Sequence, residues 1–128
     1  MSSVQKLSQR YAAAVDARDW DAGAALFTED GVLVVPDPPE HLGPVHASHG
    51  RGEIRTALAM LEATDRTRHE MSGVEPDGRV ACVAHHVVGE RCIDWHLHYA
   101  DEYRETQDGW LFARRELHID RVETHPVE

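Results

Sequence analysis

Histidine is the residue type that stands out for its chemistry, because ten of the 128 residues are histidines. The unperturbed imidazole titrates near neutral pH, and it serves both as a general base and as a metal ligand. The excess therefore predicts acid–base catalysis, metal binding or a polar surface. The ten positions are His41, His46, His49, His69, His85, His86, His96, His98, His118 and His125.

Asp16 is a second candidate for chemistry, because it follows the apolar face of a predicted helix. Leu7, Tyr11 and Val15 recur there at helical spacing. The carboxylate is expected to point towards the interior, where it needs a partner that donates hydrogen bonds or carries positive charge. The alternative interpretation is structural, and in it the carboxylate only completes hydrogen bonds at the helix end.

His96, His98 and Glu102 have the spacing of a metal-binding triad on one predicted strand. The spacing resembles the first metal motif of the cupins, but nothing after Gly109 supplies the second motif with its further histidine. A single strand also provides too few converging ligands for a metal site. We therefore predict no metal here and expect these residues to face outwards. Strand alternation gives the opposite face the more apolar residues, Trp95, Leu97, Tyr99 and Tyr103.

Other histidines leave alternatives open. His85 and His86 are adjacent, so strand alternation directs one of them to each face of a sheet. Both faces carry apolar neighbours, and the sequence does not decide which imidazole lines an interior pocket. Three further histidines lie in a proline-rich segment, 36–50, which we interpret as a loop that covers a pocket and presents polar surface.

Asp101 also allows two interpretations. It shares a predicted strand face with Tyr99 and Tyr103, and a carboxyl kept neutral in an apolar pocket can donate to an oxyanion. The alternative is an ion pair with an arginine of the neighbouring strand, either Arg114 or Arg115.

Charge and composition exclude several classes of protein. Thirteen Lys and Arg against 23 Asp and Glu give a net charge of −10, whereas binders of nucleic acid or anionic membranes need a cationic surface. We see no signal peptide and no run of about 20 apolar residues, and therefore expect a soluble, cytoplasmic protein. Cys82 and Cys92 lack CxxC spacing and are expected to be reduced thiols. The length fits one domain over 1–128.

Hydrophobic periodicity predicts the element order ααβ-α-ββββ. Such elements form an α+β fold, in which a cone-shaped, curved antiparallel sheet is covered by three helices from the N-terminal half, with a pocket between them. The region around Pro126 is expected to be a loose tail. The predicted segments are helices over 4–17, 19–27 and 52–63, and strands over 32–35, 67–75, 79–90, 94–106 and 110–122.

In these features the sequence resembles the nuclear transport factor 2-like superfamily, which has the ketosteroid isomerase-like fold, and in particular its SnoaL-like and scytalone dehydratase-like branch. The resemblance covers nearly the whole chain, and its motifs are specific in their order rather than singly. The residues that carry it are Asp16-Ala17-Arg18-Asp19-Trp20-Asp21, Phe27-Thr28-Glu29-Asp30-Gly31, Arg66-Thr67-Arg68-His69 and Asp108-Gly109-Trp110.

The resemblance implies a pocket that binds small hydrophobic molecules, often without a metal or organic cofactor. It also implies that Asp16 and His69 lie side by side as a hydrogen-bonded dyad, in which His69 moves the proton and Asp16 fixes the imidazole tautomer. Tyr11 has a spacing similar to that of the bile acid 7α-dehydratases, which implies that its phenol either polarises a substrate carbonyl or holds the leaving group. Val15 and Val35 replace two tyrosines that hold water in scytalone dehydratase, which indicates a different substrate.

The first functional hypothesis is a cofactor-independent lyase or isomerase that acts on a polyketide, steroid or terpenoid type of molecule. The second is a binding or assembly module of the same fold without catalysis, and the third is a metal-dependent enzyme using His96, His98 and Glu102. A homodimer through the outer sheet face is implied by the resemblance. The residues predicted to contact substrate are Trp20, Val35, Leu58, Met71, Trp95, Tyr99 and Tyr103.

Overall fold

The computed structural model describes residues 2–127 and has helices first, a strand hairpin, a third helix and then four long strands. The third helix continues into a short 3-10 turn, Met60–Ala63. The elements are α1 Ser3–Asp16, α2 Trp20–Ala24, β1 Phe27–Asp37, β2 His41–His49, α3 Gly50–Ala59, β3 Arg66–Val74, β4 Val80–Val88, β5 Arg91–Thr106 and β6 Gly109–Pro126.

The start of α1 and the turn that follows it have clear local causes. The Ser2 hydroxyl accepts from the Gln5 N–H while the Gln5 side chain accepts from the Ser2 N–H, which is a capping box. After α1, Arg18 adopts a left-handed φ of 58°, and its guanidinium donates to the Thr64 carbonyl at 2.6 Å. This turn fixes the end of α1 and therefore the position of Asp16.

One curved, open sheet contains all six strands in the order β2-β1-β6-β5-β4-β3. Its neighbouring strands are antiparallel except for β1 and β6, which pair in parallel. The predicted α+β fold with three covering helices is confirmed. We call the face covered by the helices the inner face and the opposite one the outer face.

The segment 36–50 is a strand hairpin rather than the predicted loop. β2 pairs with β1, with His46 opposite Val35 and Ser48 opposite Leu33. The prolines misled the prediction because β2 is the first strand in the sheet order, and an edge strand tolerates Pro44 without losing a ladder hydrogen bond.

Two boundaries also differ from the prediction. The second helix ends at Ala24, and Phe27 already begins β1. The chain end around Pro126 is not loose, because β6 continues to Pro126 and pairs there with Arg91. The extra length of β6 brings His125 opposite Cys92.

The core lies between the helices and the inner face. Tyr11 and Val15 of α1 and Ile54 of α3 are almost completely buried, as are Phe27 and Phe112, whose ring centroids are 5.1 Å apart. Burying each such side chain stabilises the fold by about 1.5–3 kcal/mol. Within residues 2–127 we find no helix with the length and apolar character needed to cross a bilayer.

Candidate functional site

A large cavity of about 920 Å³ opens between the inner face of the sheet and α3. Most of the surface of its wall is apolar, and its polar groups include the imidazoles of His69 and His86. A cavity of this size and character suits a small organic molecule held by a few oriented polar contacts. The apolar residues of the wall include Leu33, Val35, Ala57, Leu58, Leu61, Ala84, Trp95, Leu97, Tyr99 and Leu117.

The fold brings Asp16 and His69 into direct contact from the end of α1 and the middle of β3. The His69 Nδ1 lies 2.7 Å from one Asp16 carboxylate oxygen, and the His69 backbone N–H donates to the other oxygen at 2.7 Å. The Thr67 hydroxyl adds a third hydrogen bond at 3.0 Å. Thr67 was not among the predicted residues, although its position two residues before His69 puts it on the same strand face.

These contacts keep Asp16 ionised. Burial alone would raise its pKa, but the hydrogen bonds from His69 and Thr67 outweigh burial and lower the pKa below the usual value of 3.8. An ionised carboxylate at Nδ1 selects the imidazole tautomer with its proton on that nitrogen. Nε2 is then the proton-accepting nitrogen of a ring that lines the cavity and has only 6% of its side chain exposed.

His86, not His85, is the second imidazole on the cavity wall. Its Nδ1 lies 3.0 Å from the Ile93 carbonyl oxygen and its ring packs on Trp95. Burial lowers the pKa of His86, which keeps this ring neutral with Nε2 as an acceptor. Its centroid lies 6.4 Å from that of His69, so both rings can contact one small ligand.

Tyr11 lines the same cavity and remains a hydrogen-bond donor. Burial raises the pKa of its phenol to about 12, so the hydroxyl keeps its proton at neutral pH. Its ring makes edge contacts with Tyr99 and Phe112 at centroid distances of 5.9 Å. The three residues predicted to act together therefore lie at one site. His69 and Tyr11 line the cavity, and Asp16 contacts His69.

A buried ion pair lies beneath this wall. The Arg115 guanidinium donates to both oxygens of Asp101, at 2.9 and 3.1 Å, and its carbon lies 3.6 Å from the centroid of the Tyr99 ring. The side chains of Arg115 and Asp101 are fully buried. Of the alternatives left open for Asp101, the structure has the ion pair, with Arg115 rather than Arg114.

The residues predicted to contact substrate divide into two groups. Val35, Leu58, Trp95 and Tyr99 line the cavity. The other three lie elsewhere, and the cause differs for each.

Trp20 donates its indole N–H to Glu62 at 2.7 Å and fills the core between the helices. Met71 lies two residues after His69 in β3, near Ser8 of α1 and outside the cavity. Tyr103 comes after a bulge in β5, and its hydroxyl donates to Asp101 at 2.8 Å. For the two strand residues, Met71 and Tyr103, the sequence pattern did not show how far along the inner face the cavity extends.

The β1–β2 hairpin supplies the rim of the cavity, which sequence reasoning missed when it interpreted 36–50 as a loop. His46 and Ser48 line the cavity because they lie opposite Val35 and Leu33 on the same face. Asp37 also lines it, 3.5 Å from His46, with both side chains more than half exposed. The sequence signal that could have predicted this strand is the spacing of His46 and Ser48, which are two residues apart and therefore lie on one face of a strand.

The predicted outward orientation of His96, His98 and Glu102 agrees with the structure. His96 Nε2 lies 2.7 Å from Glu123, and His98 pairs with Asp120 at 3.0 Å. Among residues 2–127, the side chains whose potential ligand atoms lie within 4.8 Å of one another are His85, Cys92 and Asp94. The predicted homodimer contact on this face stays a prediction.

Comparison with known proteins places this geometry in a family. A sequence profile of the SnoaL-like domain matches residues 1–116. No curated protein sequence gives a significant match.

Solved structures share the fold over almost the whole chain. A candidate scytalone dehydratase from Novosphingobium aromaticivorans is 20% identical with a TM-score of 0.78, over 98% of this chain and 87% of the other. A hexachlorocyclohexane dehydrochlorinase, LinA type 2, is 15% identical with a TM-score of 0.72, over 98% and 87%. ActVI-ORFA from Streptomyces coelicolor is 20% identical with a TM-score of 0.62, over 92% and 95%. At these identities the likeness shows the fold alone.

Proposed function

The chain belongs to the SnoaL-like domain family, and we propose that it is a cofactor-independent lyase or isomerase of the dehydratase type. The observation that carries the proposal is the Asp16–His69 hydrogen bond of 2.7 Å at the edge of a large apolar cavity. The proposed substrate is a small hydrophobic molecule with a carbonyl group, of the polyketide, steroid or terpenoid type. The size of the cavity and its apolar wall support that class.

The proposed reaction removes water from a β-hydroxy ketone. His69 Nε2 takes the proton from the carbon next to the carbonyl, and the electron pair of that C–H bond moves towards the carbonyl oxygen. The bond to the β-hydroxyl then breaks as the double bond forms, and the imidazolium returns its proton so that the hydroxyl leaves as water. The ring ends neutral, as it began, and no oxidant or reductant is needed.

Three groups support this step from fixed positions. Ionised Asp16 holds the proton on Nδ1 of His69 and stabilises the imidazolium that forms. Tyr11 keeps its phenolic proton and is proposed to donate to the carbonyl oxygen, where negative charge develops. Neutral His86 offers Nε2 as an acceptor for the substrate hydroxyl.

The first test of this proposal is turnover. A panel of fused-ring β-hydroxy ketones is incubated with the protein, and formation of the conjugated enone is followed by ultraviolet absorbance. We expect water loss in the wild type and a fall in kcat of about 10²–10⁴-fold in His69→Gln, the typical contribution of a general acid–base group. His98→Gln is the matched control and should keep the wild-type rate, because His98 lies on the outer face.

Turnover that survives in His69→Gln would remove His69 from the mechanism. Ligands that bind in the cavity without any turnover would favour the second candidate function, a binding or assembly module of the same fold.

NMR tests the dyad independently of any substrate. The ¹⁵N shifts of the His69 ring should show a protonated Nδ1 in the wild type. Asp16→Asn should weaken this preference for the Nδ1 tautomer, because a side-chain amide can donate as well as accept a hydrogen bond. An Nδ1 that is unprotonated in the wild type would contradict the proposed orientation by Asp16.

A further inference from the structure

A second group of histidine and carboxylate side chains lies on the outer face, away from the cavity. His85 of β4 is opposite Asp94 of β5, and Cys92 of β5 is opposite His125 of β6. Ligand atoms of His85, Cys92 and Asp94 lie within 4.8 Å of one another. His125 joins them, since its Nε2 is 2.7 Å from the second oxygen of Asp94.

From this arrangement we infer that His85, Cys92, Asp94 and His125 form a binding site for a divalent cation of the zinc type. The donor set contains two imidazole nitrogens, one sulfur and one carboxylate oxygen, which are the ligand types that zinc accepts in four-coordinate sites.

The ligand atoms are slightly closer together than they would be around a tetrahedral ion. Zinc–ligand bonds of roughly 2.0–2.3 Å place neighbouring ligand atoms about 3.3–3.7 Å apart. Here His85 Nδ1 and the Cys92 sulfur lie 2.6 and 3.2 Å from the same oxygen of Asp94. We therefore expect these side chains to move apart by about an ångström when the cation binds.

The contacts of the two histidine rings point to the same ion. His85 Nε2 lies 3.2 Å from Glu70, and His125 Nδ1 lies 3.1 Å from the Pro126 carbonyl oxygen. Each ring thus has an oxygen acceptor beside both nitrogens, whereas a neutral imidazole carries one N–H. If His85 Nε2 and His125 Nδ1 carry the protons, then His85 Nδ1 and His125 Nε2 present lone pairs towards Asp94. A cation between these two nitrogens and the Asp94 carboxylate would be bound by all three groups. An oxygen acceptor at the other ring nitrogen is the usual support of a metal-bound histidine.

Three of the four proposed ligands are sheltered, the His125 side chain is 48% exposed, and the four ligands come from three strands. The Cys92 residue is 8% exposed, and the side chains of Asp94 and His85 are 12% and 19% exposed. Binding releases the thiol proton of Cys92 to solvent and leaves Asp94 as the carboxylate. A bound ion would join β4 and β5 to the end of β6, so its expected effect is on stability rather than on the cavity.

Cobalt titration tests the site in reduced protein that carries no histidine tag and has been stripped of metal with a chelator. We expect one Co²⁺ per chain, with the visible absorption of a tetrahedral ion and a near-ultraviolet thiolate-to-cobalt band, both displaced by Zn²⁺. Cys92→Ser should lose the thiolate band and bind at least tenfold more weakly. Glu70→Gln, which alters the support of His85 and also a surface contact with Arg68, should weaken binding by about 10–100-fold.

Two variants serve as matched controls. Cys82→Ala removes the other thiol, which faces the core from β4, and His98→Gln removes an outer-face histidine elsewhere in the sheet. Both should keep the cobalt spectrum. Added Zn²⁺ should raise Tm in the wild type and in both controls, and at the same concentration should raise it less in Cys92→Ser.

Three results would each overturn the inference. They are no stoichiometric Co²⁺ binding to the wild type, a cobalt spectrum without the thiolate band, and equal affinity in Cys92→Ser. The cluster would then be a hydrogen-bonded network without a metal.

Discussion

Two histidine–carboxylate pairs with nearly the same geometry lie on opposite faces of neighbouring strands. On the inner face, Nδ1 of His69 is 2.7 Å from Asp16. On the outer face, Nδ1 of His85 is 2.6 Å from Asp94. The two pairs differ in what meets the second nitrogen of each ring.

Nε2 of His85 already faces a carboxylate of Glu70, and Asp94 also contacts Cys92 and His125. The His69 ring instead lines an apolar cavity. A short hydrogen bond between histidine and a carboxylate is therefore not by itself a sign of catalysis, because structural networks contain it as well. Acid–base chemistry needs the second nitrogen to face a space that a substrate can enter.

The largest expected effect contrasts ion pairs on the two faces. Asp101→Asn leaves the fully buried Arg115 without its counter-ion, and we expect the free energy of unfolding to fall by about 3–5 kcal/mol. Urea unfolding at pH 7 measures the change. On the outer face, Glu123→Gln should change stability by less than about 1 kcal/mol, because its contacts with Arg121 and His96 are partly exposed.

A second variant keeps this comparison open to contradiction if Asp101→Asn does not fold. The double change Asp101→Asn with Arg115→Met removes the unpaired charge and should recover much of the lost stability. A double variant as unstable as the single one would show that the packing of Arg115 against its aromatic neighbours, rather than its charge, stabilises this region.

The sequence predicted well what depends on periodicity and local hydrogen bonding. The three helices and the four long strands are confirmed, and these features depend on residues close together in the chain. The outward orientation of His96 and His98 followed from strand alternation in the same way.

Features that depend on distant partners were not predictable in this way. The edge position of β2 and the parallel pairing of β1 with β6 are properties of the whole sheet, so the prolines of 36–50 were misread as a loop. The choice of His86 over His85 depended on strand register. The contact between Asp16 and His69 spans 53 positions and came only from family resemblance.

The next effect in size concerns the inner-face pair itself. Asp16→Asn replaces an ionised acceptor of three hydrogen bonds with a neutral amide, and we expect a loss of about 1–3 kcal/mol at pH 7. The pKa of Asp16 is lower in the folded protein than in the unfolded chain, so its stabilisation is complete above the ordinary value of 3.8. It is lost as pH falls through the folded pKa, and the difference between wild type and variant should close.

Unfolding curves recorded at several pH values between neutral and strongly acid test this prediction. Asp21→Asn is the control, because Asp21 pairs with Arg55 on an exposed surface and should contribute about 0–1 kcal/mol. A stability difference between wild type and Asp16→Asn that stayed constant down to the lowest pH would contradict a role for the carboxylate charge.

The smallest expected effect belongs to the outer-face pair, measured with a chelator present so that no metal contributes. Burial opposes ionisation of Asp94, yet hydrogen bonds from His125 and His85 lower its pKa from 3.8 to about 2. The carboxylate therefore stabilises the fold fully above about pH 4, and this stabilisation is lost as pH falls towards 2. We expect Asp94→Asn to cost on the order of 1 kcal/mol at pH 7, since the side chain of its partner His125 is 48% exposed and the interaction is screened.

A matched series with Asp120→Asn, whose carboxylate pairs with His98 and is 56% exposed, should show a smaller loss. Equal losses in the two variants would mean that the Asp94 cluster stabilises the fold no more than an ordinary surface pair does. The comparison of the Asp94 cluster with the inner-face dyad would then fail.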